Sequence, residues 1–495
     1  MSIIAMKRPV LVLQVVRWAM ILHLFMILSL QAGQKSGQPN VVFILADDMG
    51  WTDLGVQGSK YYESPNIDKL ALQSCRFQNH HHCQNCVPTR SSLWSGQYSS
   101  RTGIYTVGSL ERGESSQRRL RVPENLTQLP LDRKTIADQL KQAGYRTGYF
   151  GKWHLGQKGD YHPSRRGWGQ AITSMGQHFD FVTQPPVEHD KADYLADWLT
   201  DRAIAFLDES RNEPFFLVLA HFAVHTPLQA KAEKIRQFET KSPSGGHGNA
   251  TYAAMIASLD DSVGRVLRRL EDLQLADDTV VIFASDNGGV GGYGERAQNV
   301  TDNSPLREGK GSHYEGGLRV PMFVRWPGVT RPGSISQEPT THVDFYPTIL
   351  EIAGASKPDQ ILDGLSLVPI LKSINPATAK LDRDSIFAHL PGYLEGRDGQ
   401  WRTTPVSTII QREFKLLEYL EDGRLELYDL RSDPSEKQNL AMVNSAKASQ
   451  MQGQLSQWRK STRAAMPTPN PDYGKPVTDS QKQSRKKARN EEETQ

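Results

Sequence analysis

Cysteine is scarce in this chain: 495 residues hold three, Cys75, Cys83 and Cys86. An odd number this small permits one disulfide at most and leaves at least one thiol needing another explanation. Charge of one sign is lacking too. The formal net charge is only +3, which gives no electrostatic case for nucleic acid as a partner. No internal repeat is present. Long apolar runs are confined to the N-terminus, where Lys7 and Arg8 precede "AMILHLFMILSL" (19–30), followed by small Ala32 and Gly33. That pattern reads as a secretory signal over residues 1–32. Arg17 and His23 shorten the run below a comfortable membrane span, so a retained anchor is the second reading. Either way the chain is expected to be exported, to a periplasm or beyond, with no stable membrane insertion once the signal is cleaved.

What is present is a recurring design. Four apolar runs end in chemically capable residues: 41–46 in Asp47-Asp48, 146–151 in Lys152 and His154, 215–220 in His221 and His225, and 280–285 in Asp286-Asn287. Continuous apolar runs suit strands of a parallel sheet buried on both faces. Helical patterns intervene. One starts at Thr135 with Asp138 as a capping-box pair and stops at Gly144; another covers residues 252–273. The alternation predicts a doubly wound, mostly parallel α/β sheet over residues 38–370, with the site beyond the carboxyl ends of its strands. Residues 371–465 read as a smaller α+β subdomain, with two β runs about the turn "EDG" (421–423). Residues 466–495, Pro-rich and then charged, read as a disordered tail.

Each motif has a bland reading beside the functional one. "ADDMG" and "SDNGG" are turn-like, but two acidic pairs on strand ends of one sheet favour a hard cation, Ca²⁺ or Mg²⁺, at Asp47, Asp48, Asp286 and Asn287. Around Cys86, Pro88 suits a first helical turn and Gly96 a helix end, so the cysteine faces backbone N–H groups that favour an anion. A cysteine phosphatase wants an arginine six residues on, where Ser92 stands. A redox pair with Cys83 lacks its thioredoxin-like context. A structural cysteine, paired with Cys83 or Cys75, stays open. His80, His81 and His82 point in different directions and read as a polar loop near the site mouth rather than a metal site. His154 alone reads as structural and Lys310 as a surface lysine. His221 and His389 are candidate substrate contacts.

"CVPTRSSLWSG" (86–96) resembles the sulfatase signature. So, in family order, do "PNVVFILADDMGWTDLG", "GYFGKWHLG", "VHTP", "FASDNGG", "GKGSHYEGGLRVP" and "ELYDLRSDPSEKQNLA", a resemblance running from Pro39 to Ala441. It implies the alkaline-phosphatase-like fold and one Ca²⁺ on Asp47, Asp48, Asp286 and Asn287. It also implies conversion of Cys86 to formylglycine by a maturation enzyme, the hydrated aldehyde being the nucleophile. Arg90 then holds the hydrate, and Lys152 and His154 stabilise it and help break down the covalent sulfate intermediate. His225 and Lys310 grip the sulfate and leaving oxygen, with His225 the proton donor. The expected substrate is a sulfated carbohydrate, or else an aryl sulfate. The alternatives are a phosphonate or phosphate ester hydrolase of the same superfamily, and a glycan binder whose Cys86 is never converted.

Overall fold

A computed structural model describes residues 37–292, 300–395 and 400–475. The expected signal segment and residues 476–495 of the tail lie outside the described residues. The nine strands of the main sheet are β1 (Asn40–Ala46), β2 (Cys75–Phe77), β3 (Arg146–Gly151), β4 (Gln170–Ser174), β5 (Thr183–Gln184), β6 (Phe215–Ala220), β7 (Thr279–Ser285), β8 (Met322–Arg325) and β9 (Ile335–Ser336). Their spatial order is β9-β2-β8-β7-β1-β6-β3-β4-β5. The five central strands from β7 to β4 run parallel, while β8 against β7, β2 against β8 and β5 against β4 are antiparallel. The four apolar runs are therefore four adjacent strands.

Their side chains divide between two cores with the period of two that a pleated strand imposes. Val42, Ile44 and Ala46 of β1 pack on one face with helices α3 (Leu195–Ser210) and α4 (Ala250–Asp272). Val41, Phe43 and Leu45 pack on the other with α1 (Cys86–Ser95), α2 (Ile136–Gln142) and α5 (Phe345–Ala353). Helices cover both faces, as a doubly wound sheet requires. The starts of two helices follow local chemistry. Thr135 and Asp138 form a reciprocal capping box on α2, and Asn249 accepts from the Tyr252 N–H at the head of α4.

The C-terminal lobe differs from expectation in strand count. Residues 407–430 make three strands, not two, because Arg412 takes a left-handed conformation at φ 54° and turns the chain once more. With Ile386–Leu390 they give a four-stranded antiparallel sheet. Helix α6 (Ser445–Thr462) covers one face through Met451, Leu455 and Trp458. The other face packs on Tyr105, Leu110 and Tyr314 of the main body. The start of the tail is tied down too: Thr468–Pro469 pairs with Leu120–Arg121, and Asn470 donates to the Ser115 and Arg118 carbonyls.

Candidate active site

β1 sits where the chain reverses direction across the sheet, with β6 on one side and β7 on the other, and the site lies beyond its carboxyl end. Backbone hydrogen bonds extend the ladder past the strands: Asp47 N to Ala223 O, Asp286 N to Ala46 O, and Lys152 N to Ala220 O. Gly151 is required at this approach, because a Cβ there would lie 1.9 Å from the Ala220 carbonyl oxygen. Asp48 and His154 both adopt positive φ, 61° and 62°, which turns their side chains off the strand ends into the site.

Helix α1 begins at Cys86 and ends at Gly96, φ 69°, as the Pro88 and Gly96 positions suggested. All ten of its residues are buried. The i, i+4 spacing puts Arg90 beneath Cys86 on one face of α1. Arg90 donates from Nε to Asp286 Oδ2 at 2.9 Å and from Nη1 to the Lys152 carbonyl at 2.5 Å, while its Nη2 lies 2.8 Å from the same Asp286 oxygen as an ion pair. Lys152 Nζ lies 2.5 Å from Asp47 Oδ2, and Lys310 Nζ lies 2.7 Å from Asp48 Oδ2. His225 Nε2 is 3.5 Å from the same Asp48 oxygen, and His154 Nδ1 is 3.6 Å from Cys86 Sγ. All ten residues expected for catalysis and metal thus meet in one cluster.

The cluster balances three carboxylates against three cations, yet its oxygens are not all used. Asp47 Oδ1 and Asn287 Oδ1 are buried with no hydrogen-bond partner. Buried oxygens of that kind are costly unless something electropositive meets them. One ligand atom each from Asp47, Asp48 and His225 lie within 4.8 Å of one another, as do those of Asp47, Cys86 and Asp286. Burial and the neighbouring Asp286 carboxylate push Asp47 up to about 7, although Lys152 and Arg90 oppose them. Asp48 is equally buried, but Lys310, His225 and Lys152 outweigh that and hold it below the ordinary carboxylate range. The residues fit a hard divalent cation: anionic and amide oxygens converge, and one carboxylate is unwilling to ionise without more positive charge.

Burial dominates the histidines and the thiol. It lowers His225 to about 3 against the pull of Asp48, and it drives His154 well down together with the nearby cations Lys152 and Arg90. It raises the Cys86 thiol in spite of Lys152 and Lys310. As a cysteine, Cys86 is a protonated, weak nucleophile.

Cys86, His154, His225 and Lys310 open onto a cleft of about 510 Å³. Its outer wall carries Arg112, Glu395 and Arg402, residues in segments with no motif to announce them. Three sequence expectations change here, and one alternative left open is closed. His221 is fully buried and its Nε2 meets Ser262 Oγ at 2.8 Å, away from the cleft. His389 is bound by Ser407 Oγ and the Ala465 carbonyl inside the C-terminal lobe, so neither histidine lines the cleft. His80, His81 and His82 are not a loop at the mouth: all are buried, and His80–His81 form a short strand beside Thr340–Thr341. Behind the acidic cluster, His82 Nδ1 meets the Asp286 carbonyl at 3.3 Å and its Nε2 meets His80 Nε2 at 2.8 Å. All three cysteines are free and buried, which leaves no disulfide.

An oxyanion cleft of this build, at the switch point of a doubly wound sheet, defines a hydrolase of alkaline-phosphatase-like fold. The comparisons agree. The sulfatase family model matches residues 39–355, and that of the N-sulphoglucosamine sulphohydrolase C-terminal region matches residues 309–464. The chain belongs to the sulfatase family and is a sulfuric ester hydrolase. It is 34% identical to a sulfatase of Formosa agariphila over 86% of this chain and 89% of that one. It is 32% identical to human N-acetylgalactosamine-6-sulfatase over 67% of this chain and 66% of the other. Among solved structures it resembles Ps i-CgsB in complex with k-i-k-neocarrahexaose, at 30% identity and TM-score 0.70, covering 85% and 92% of the two chains. The phosphonate monoester hydrolase of Agrobacterium radiobacter shares the fold at 20% identity and TM-score 0.64, covering 86% and 96%.

Proposed function

We propose that this enzyme removes sulfate from a sulfated carbohydrate, with Ca²⁺ held by Asp47, Asp48, Asp286 and Asn287 and with Cys86 converted to formylglycine. The observation that carries the reading is Cys86 itself: a buried, protonated thiol that is a poor nucleophile stands at the floor of a cleft built to oppose an oxyanion. The names of the relatives, an N-acetylgalactosamine-6-sulfatase and a protein bound to neocarrahexaose, support a sugar ester as substrate. A cation held by these four residues would supply Lewis acidity toward a sulfate oxygen and would tip a balanced cluster to net positive charge. The converted Cys86 supplies, as its hydrate, the attacking oxygen.

The chain's own side chains do the rest. Lys310 keeps its proton, since the pull of Asp48 outweighs burial, and its ammonium opposes charge on the sulfate. His154 stands beside the Cys86 side chain, where it orients that group. The His225 Nδ1–H donates to the Thr226 carbonyl at 2.5 Å, which leaves Nε2 as the nitrogen that faces the cleft. An anionic substrate there raises the ring's affinity for a proton, and Nε2 then delivers that proton to the departing sugar oxygen. Cys86 is 1% exposed in the folded chain, so the maturation enzyme must act on residues 86–96 before they are packed away.

Mass spectrometry of the Cys86 peptide tests the reading. In active protein that peptide should carry an aldehyde and react with a hydrazide probe. Full turnover with an alkylatable Cys86 thiol would overturn it. Paired assays on a sulfate ester and a phosphonate ester of one phenol distinguish the proposed reaction from the phosphonate alternative.

A further inference from the structure

The described surface holds a larger hollow, a groove of about 940 Å³ that shares no residue with the catalytic cleft. It lies at the other end of the sheet. Arg325, the last residue of β8, pairs in register with Val281 of β7, five residues before Asp286. At ~3.3 Å per residue that is about 16 Å down the strand from the metal-ligand cluster.

Arg325 lines this groove and is only 9% exposed. Its Nη1 reaches Gln73 Oε1 at 3.4 Å. Its Nε and Nη2 are buried with no hydrogen-bond partner, and among the described residues no carboxylate stands within ion-pair distance. Nε and Nη2 share one edge of the guanidinium, the edge that meets two oxygens of an oxyanion side by side. Exposed Arg331 and Lys372 line the same groove. Glu271 and Asp277 line it too, but their charge does not offset the cost of burying Arg325, whose pKa burial lowers.

We propose that the groove is a second sulfate-binding subsite, in which Arg325 turns its buried, unpartnered Nε and Nη2 edge out to the groove to take two oxygens of one sulfate and Arg331 and Lys372 add positive charge. The choice of sulfate rests on the proposed sulfated-carbohydrate function; the oxyanion geometry does not. A buried guanidinium edge without a partner is costly, and an oxyanion relieves it where water serves poorly. Two sources share this chemistry: the free sulfate that the reaction releases, and an ester sulfate on another sugar of a long chain.

Direct binding tests the subsite without recourse to turnover. Equilibrium dialysis of radiolabelled inorganic sulfate against the full, metal-loaded chain should find two sulfates bound in wild type and one in Arg325→Gln. Arg331→Ala, an exposed change that does not threaten folding, should weaken the second sulfate several-fold. Dextran sulfate, with unsulfated dextran as control, supplies the other arm. If Arg325→Gln weakens only dextran sulfate, by about tenfold as expected for a lost charged bidentate contact, the ligand is an ester group on a chain. If it weakens both probes, free sulfate suffices. Equal stoichiometry and affinity in all three proteins for both probes overturns the subsite. A wild type that binds the second sulfate but hydrolyses no sulfate ester would refute the catalytic reading and leave the subsite standing.

Discussion

Loading the metal should expel a proton, in an amount set by Asp47. Burial and the adjacent Asp286 carboxylate raise this carboxyl from 3.8 to about 7 in the cation-free fold. The sign follows from that direction. A raised carboxyl stabilises the cation-free fold below its ordinary value, and the contribution disappears as pH rises through about 7. A divalent cation binds the ionised form, so at pH 6 binding should release about nine-tenths of a proton per ion, and at pH 8 about one-tenth. The apparent Ca²⁺ affinity should fall about tenfold from its plateau at pH 6 and about a hundredfold at pH 5. The assay is calorimetric titration of the stripped protein with CaCl₂ at pH 6 and 8, each in two buffers of different ionisation enthalpy. The difference between buffers counts protons directly. Proton-neutral binding at pH 6, with affinity flat from pH 5 to 8, would refute the assignment of Asp47 as a carboxyl that ionises only for the cation.

Other consequences are as direct. Asp286→Ala should abolish both bound metal and turnover, read by elemental analysis beside the assay, since it removes a carboxylate and frees Arg90. His225→Ala should cost about 10²–10⁴-fold in kcat/KM on a sugar sulfate and far less on a nitrophenyl sulfate, whose leaving group needs little protonation; equal losses would leave His225 a binding residue only. Arg90→Gln should destabilise the fold by roughly 3–5 kcal/mol in urea unfolding, because it strips a buried partner from Asp286. His389→Ala should alter stability but not KM, in keeping with its place inside the C-terminal lobe.

Local chemistry made much of this protein legible in advance. Runs as apolar as Val41–Ala46 and Val280–Ser285 have nowhere to lie but between two covered faces, so β1, β3, β6 and β7 were readable as strands of one buried sheet. The Thr135–Asp138 capping box and the Gly96 helix end act within a single turn of chain, and both stood where their residues implied. Asp47-Asp48 and Asp286-Asn287 announced the acidic cluster by residue type at strand ends. The remainder depended on which distant segments meet. Helix α1 is buried all round, so it carries no amphipathic stripe to mark its face. The histidine triplet looked like a loop because its partners, Thr340 and the Asp286 carbonyl, are supplied 260 and 204 residues away. His221 and His389 share their residue type with His225, and only burial separates them: one meets Ser262, one Ser407, and one opens on the cleft. Arg325 ends an apolar strand like any other arginine, and that its Nε and Nη2 lack a partner is visible only once the chain is folded. Residue type and near neighbours decide what a segment prefers; which groups are buried, paired or left wanting a partner is decided by contacts across the whole chain.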